Sequence, residues 1–267
     1  MYWAKHRFLS AFLRGILLFL ILGCSAIASA KSYTNCFVAG EVSEYKVSWL
    51  KLPLAWSKTT TEACEENGRK LIRLRMVSKN YKAYNHIYKV NDVTEVIVDP
   101  QTALPVRLDF VLNEGGRHKS HLTRFDHTKG EAVYIDRLAN TTNTVKIAKD
   151  TRDVVTFLYA SRNWDLEALT KDTHQIYVDG KVNKMGMKLG KKKKLKIPGL
   201  GKVECVQLEP IADFDGLFLR QGRIFFWVSK TKHRMITLTE AKVPVGKIKV
   251  RLHKVSGTGN KFWDKKK

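Results

Sequence analysis

Lys247-Ile-Lys-Val-Arg-Leu-His253 alternates strictly. Ile248, Val250 and Leu252 fall on one side of an extended chain, and Lys247, Lys249, Arg251 and His253 on the other. Successive side chains of a strand point to opposite faces, so this segment is a strand with one face in a core and one in water. The same period governs Tyr45, Val47 and Trp49, set against Glu44, Lys46 and Ser48. It recurs in Ile72, Leu74 and Met76, and in Leu108, Phe110 and Leu112. Turn chemistry separates such runs. Asp179-Gly180 accepts the positive φ values of a type I′ hairpin. Asn113-Glu-Gly-Gly116 closes another hairpin, and Pro198-Gly-Leu-Gly201 marks a tight connection. The expected fold is all-β: a single curved antiparallel meander forming an open or partly closed barrel.

One segment breaks the period. Asp150-Thr151 offers a cap, and Val154, Val155, Leu158 and Tyr159 follow at helical spacing. One short helix is therefore expected over 151–163, across a sheet face or plugging a barrel end. A weaker pattern is an internal echo. Ile97 to Leu108 and Trp227 to Leu238 share the shape strand, polar turn, strand, either as a repeat or by chance.

The chain has 267 residues, 44% of them apolar and 27% charged, which suits a folding protein rather than a disordered one. Lys and Arg outnumber Asp and Glu 48 to 25, a formal charge of +23. Such a surplus points to a polyanionic partner or surface. The first thirty residues read as an export signal. Lys5, Arg7 and Arg14 form the basic region, Ile16–Leu22 the apolar one, and Ala28-Ser-Ala30 the cleavage pattern. Ile21-Leu-Gly-Cys24 supplies the alternative, an outer-membrane lipoprotein acylated at Cys24. The signal carries three of the cations and no acid, so the exported chain keeps 45 cations against 25 acids. The expected organisation is a signal at 1–30, an extension at 31–36, one β-rich domain at 37–254 and a basic tail at 255–267. Export places the protein in the periplasm and permits a Cys36–Cys64 disulfide. That bridge would close a 29-residue loop, with a stabilisation of roughly 3 to 4 kcal/mol. Cys205 is left as a small buried apolar residue.

Several segments together resemble a known family. These are Gly40-Glu41 with Tyr45-Lys-Val-Ser-Trp49, and Asp99-Pro with Leu104-Pro-Val-Arg107 and Phe125-Asp126. Asp153–Arg162, Gly201–Pro210, Phe226-Trp-Val-Ser229, Val245-Gly246 and Leu252 complete the set. Over about 40–252 the chain is similar to the bacterial envelope family called domain of unknown function 3108. It departs from the pattern at Ala55-Trp56, where a glycine is usual, and at Ser229-Lys230, where two aspartates are. The resemblance implies an exported, mostly β protein with no established activity. The Asp99-Pro to Arg107 segment also resembles the meander of periplasmic lipoprotein carriers, which implies a curved sheet with an apolar concavity.

No phosphate loop, nucleophile elbow or HExxH occurs, so the chain is read as no enzyme and as needing no cofactor. His118, His121 and His127 do not share a strand face at ligand distance, and Arg117, Lys119 and Arg124 repel a cation, so no metal is expected. The basic runs Lys191, Lys192, Lys193 and Lys194, and Lys247, Lys249 and Arg251 on one face, are either plain solvated faces or contacts for an anionic envelope polymer or membrane. Export removes nucleic acid from the partners; another envelope protein stays among them. Phe225-Phe-Trp227 puts bulky rings on both faces of one strand. That is either a core strand or the wall of a cavity. On the second reading Phe226 and Trp227 face opposite ways, one of them lining the cavity, with Lys230 and Arg234 at its opening. The expected function is a non-catalytic envelope protein holding a lipid or other amphiphile in a β-cavity. The alternative is a structural or interaction protein that uses its basic face.

Overall fold

Among the described residues fifteen strands, joined mostly by tight turns, carry the alternation through to the folded chain. The computed structural model describes residues 33, 36–86, 89–198, 201–212, 223–231, 233–243 and 246–257. The expected signal with Cys24 and residues 258–267 of the basic tail lie outside the described residues. Chain contacts set Met1–Ser32 apart from Tyr33–Lys267, and every described residue belongs to the second unit.

The first strands are β1 Val42–Trp49, β2 Leu52–Glu66, β3 Arg69–Asn80, β4 Asn91–Asp99 and β5 Leu104–Glu114. Next come β6 Arg117–Asp126, β7 Glu131–Asp136, β8 Thr141–Lys146 and the two-residue β9 Arg152–Asp153. Helices α1 Val154–Ala160 and α2 Leu166–Lys171 follow. The chain returns to strands with β10 His174–Val178, β11 Lys181–Ile197, β12 Gly201–Ala212, β13 Arg223–Ser229, β14 Ile236–Val243 and β15 Gly246–Ser256. All join one sheet in the order β8-β7-β6-β5-β4-β3-β2-β1-β15-β14-β13-β12-β11-β10-β9. The single closing step is β1 against β15, antiparallel from Val42 opposite Ser256 to Trp49 opposite Ile248.

The sheet curls without closing. Its two ends meet through side chains instead: the Tyr177 hydroxyl on β10 lies 3.1 Å from Thr123 Oγ1 on β6, and the Tyr177 ring packs edge-on against Phe125. Turn chemistry is as expected: Asp179 and Gly180 have φ of 45° and 75°, the mirror-image turn that Asp-Gly favours. The echoed segments form the β4–β5 and β13–β14 hairpins. Each carries a register shift at the matching place, between Ile97 and Val98 and between Trp227 and Val228.

Three expectations need correction. The helix is present but starts at Val154 rather than 151, and a 3-10 turn, Ser161–Asn163, carries it to the expected end. Thr151 Oγ1 accepts from its neighbour's amide at Ala148, and Arg152-Asp153 stay extended, pairing in parallel with Ile176-Tyr177. Asp153 is the cap, accepting from the amides of Val155 and Thr156. A second helix, α2, follows, capped by Asp165. The Cys36–Cys64 bridge is not formed; both thiols are free. Thr61 faces inward, buried against Tyr159, so Cys64 three residues on faces outward among Arg73, Glu66, Glu95 and Arg107. Cys36 is wholly buried, its thiol donating to Ala160 O at 3.6 Å.

Candidate functional site

The inward positions of the strands do not fill the concave side. Leu74 on β3, Leu208 on β12, and Phe226 and Val228 on β13 point inward, as do Thr59 on β2 and Val250 on β15. Helix α1 lies across the open side. Its Val154, Val155, Phe157 and Leu158 complete the walls of a cavity of about 220 Å³. The lining is mainly apolar. Its polar groups are the hydroxyls of Tyr45, Ser57, Thr59, Thr94, Tyr159, Ser161 and Thr239, and two arginines, Arg162 and Arg234.

The arginines differ in state. Arg162 follows α1 and reaches Glu41, just before β1, in a bidentate pair at 2.8 and 2.9 Å. It also donates to Cys36 O at 3.2 Å and lies over the Tyr159 ring, 4.1 Å from its centre. Glu41 accepts a further bond from Ser43 Oγ. Burial alone would lower the Arg162 guanidinium, but the Glu41 carboxylate outweighs it and holds it above the ordinary arginine range. Burial likewise pushes the Tyr159 and Tyr45 phenols up. All these groups are committed to one another, and they clamp α1 onto the sheet. Arg234 is different. Its Nη1 is buried without a hydrogen-bond partner among the described residues. Arg234 is half-buried and lines the cavity. A buried unpaired donor of this kind carries a desolvation penalty that an anion would relieve.

The structure separates the four residues of the expected ligand site. Phe226 lines the cavity. Trp227 points the other way, into a second cluster with Leu195, Cys205, Leu238 and Leu252, and donates from Nε1 to Glu240 at 3.0 Å. Arg234 reaches the cavity. Lys230 is not among its lining; it pairs with Glu204 at 3.0 Å. Reasoning from sequence missed the contributions of α1, β2 and β3. The signal was present in the alternation of Leu74 and Met76, but nothing in it marks which inward residues leave space.

The basic runs are exposed but not alike. Lys191 to Lys194 lie on β11 and make no salt bridge among the described residues. A register shift between Leu189 and Lys192 breaks their alternation, and Lys193 sits over the Trp227 ring at 5.9 Å. On β15, Lys249 pairs with Glu240, while Lys247 is exposed and Arg251 half-buried. Of the histidines, His121 is buried between Phe110 and Tyr134, and the His127 ring contacts Pro105 O. Among the described residues no group of three or more His, Cys, Asp or Glu is placed to hold a metal ion.

Comparison with known proteins agrees with this architecture. The family model described as protein of unknown function (DUF3108) matches residues 44–253. No curated protein matches the chain. Among solved structures, the chain is similar to a beta-barrel-like protein of domain of unknown function DUF1849 from Brucella abortus. The TM-score is 0.51 at 13% identity, over 83% of this chain and 98% of that one. At that identity the likeness is one of fold.

Proposed function

The chain belongs to the DUF3108 family, whose function is unknown, and on that premise we propose that it is a non-catalytic, exported envelope protein that holds a single-chain anionic amphiphile in its concave cavity. The observation that carries this is the pairing of an apolar cavity with Arg234, whose buried Nη1 has no hydrogen-bond partner among the described residues. The cavity volume of about 220 Å³ is below the ~300 Å³ at which pockets begin to take drug-sized ligands. It suits one acyl chain rather than a two-chain lipid. The apolar walls take the chain and Arg234 takes the acidic head.

The test uses decanoate and decanol, which share a chain and differ in the head, titrated calorimetrically into the wild type and Arg234→Gln. A charge-assisted hydrogen bond is worth about 1.5–3 kcal/mol, so decanoate should bind roughly tenfold to a hundredfold tighter than decanol. Arg234→Gln should remove that difference. Equal binding of the two to wild type, or none of either, ends this reading. A second reading is supported by Lys191 to Lys194, a run of exposed cations with no ion pairs among the described residues: contact with an anionic envelope polymer. Salt-sensitive binding to lipopolysaccharide that is lost in Lys192→Gln/Lys194→Gln would favour it.

A further inference from the structure

In an antiparallel meander the turns alternate between two rims of the sheet. The turns β1–β2, β7–β8 and β14–β15 fall on one rim, and so does the end of β12. The large apolar side chains exposed among the described residues are Trp49, Leu50, Leu52, Leu138 and Ile211. All five belong to that rim, and none to the other.

Three of them form the β1–β2 hairpin. Trp49 faces Leu52 across the ladder, and Leu50-Lys51 make the turn with φ of 48° and 76°. Those values belong to Asn-Gly or Asp-Gly, and a leucine held there is strained. The chain uses the favoured chemistry elsewhere: Asn67-Gly68, Gly115-Gly116 and Asp179-Gly180 occupy three other two-residue hairpins. Among the described residues this is the one tip that holds an exposed apolar residue at positive φ, since Ala103, the other apolar residue there, is buried; Leu50 is left 58% exposed and Leu52 56%. Gly246 of the neighbouring turn lies beneath the tip; a Cβ there would stand 2.6 Å from Leu50 Cδ2.

Exposed cations surround the tip. Lys51 is part of the turn, and Lys242 faces Lys247 across the β14–β15 ladder beside it. None of the three makes a salt bridge among the described residues. Two acids farther along the rim are engaged: Asp136 caps the amides of Leu138 and Ala139, and Asp179 holds Lys119. A Trp and two leucines ringed by unpaired lysines have the chemistry of a bilayer interface, where apolar tips enter the acyl boundary and cations meet lipid phosphates.

We propose that the Trp49–Leu52 hairpin docks this rim on an anionic lipid bilayer. The proposal does not rest on the cavity reading. The test is co-sedimentation of the chain from Lys31 onward, free of the Ile16–Leu22 run, with phosphatidylglycerol vesicles and with phosphatidylcholine vesicles. Binding to the first, weakened by salt, with a blue shift of emission absent in Trp49→Phe, is expected. Leu50→Asn is the decisive variant, because Asn accepts positive φ and removes the apolar tip without disturbing the turn. It should melt at or above the wild-type temperature and bind vesicles about tenfold more weakly, the scale of one exposed leucine withdrawn from apolar burial. No vesicle binding, or binding that is salt-sensitive and unchanged in Leu50→Asn, overturns the proposal; the latter result would assign the contact to the β11 lysines.

Discussion

Removing Glu41 should loosen the wall of the cavity, because its carboxylate is what ties α1 to the start of the sheet. The pair with Arg162 is almost dry: the two side chains are 1% and 10% exposed, and two hydrogen bonds join them. Breaking a buried pair by deleting one partner leaves the other charge without compensation, at about 3–5 kcal/mol. Glu41→Gln should fall at the low end, since an amide oxygen still accepts from Arg162. Arg162→Met should fall at the high end, because it strands a carboxylate with only Ser43 for company and removes the cation from the Tyr159 face. For a domain of this size the loss is about 6–20 °C in melting temperature, at roughly 2–4 °C per kcal/mol. The double variant Glu41→Leu/Arg162→Met leaves no orphan charge and should cost less than the sum of the single changes. Urea unfolding followed by circular dichroism measures all three variants. An Arg162→Met change below about 1 kcal/mol, or strict additivity in the double variant, would refute the buried clamp.

Two further outcomes follow from single residues. Burial holds the His121 imidazole below its ordinary range, while Asp179, Asp136 and Asp109 pull the other way. The unfolded chain therefore takes up that proton first, and a share of stability present above about pH 6.5 is lost as pH falls toward the lower folded value. Denaturant midpoints should drop more on acidification in the wild type than in His121→Phe, which keeps the ring between Phe110 and Tyr134; equal drops would show that His121 does not titrate. Burial raises all three thiols, Cys36 to about 11, but Cys64 is half-exposed while the other two are buried. Alkylation of the chain from Lys31 onward should label Cys64 first and all three thiols in denaturant without reductant. A single reactive thiol in denaturant would restore the Cys36–Cys64 bridge.

How much of this was legible in the sequence depends on the range of the cause. Alternation is local, so the strands carrying Tyr45, Ile72, Leu108 and Ile248 could be read directly. So could the Asp179-Gly180 turn and the opposed faces of Phe226 and Trp227. The helix was visible through Val154 to Tyr159, but its start was not, because Thr151 bonds to the Ala148 amide rather than capping. The six-residue α2 and the parallel Arg152-Asp153 ladder are too short to carry a period. The Glu41–Arg162 clamp spans 121 positions, and neither residue is distinguished locally from any other surface charge. The disulfide expectation failed for a similar reason: nearness along the chain says nothing of which face of β2 Cys64 takes. Lys230 failed in the same way, since a partner on β12 holds it away from the cavity. Arg234 was placed by its nearness to Phe226, but that its buried donor has no partner among the described residues is visible only in three dimensions.

The most direct test of the central claim is a crystal of the protein soaked with 10-bromodecanoate and examined for the anomalous signal of bromine. The account predicts one bromine peak inside the concavity, among Leu74, Leu208 and Phe226, with the carboxylate against Arg234. Bromine found only at the surface, or a concavity that stays empty under saturating ligand, would contradict it.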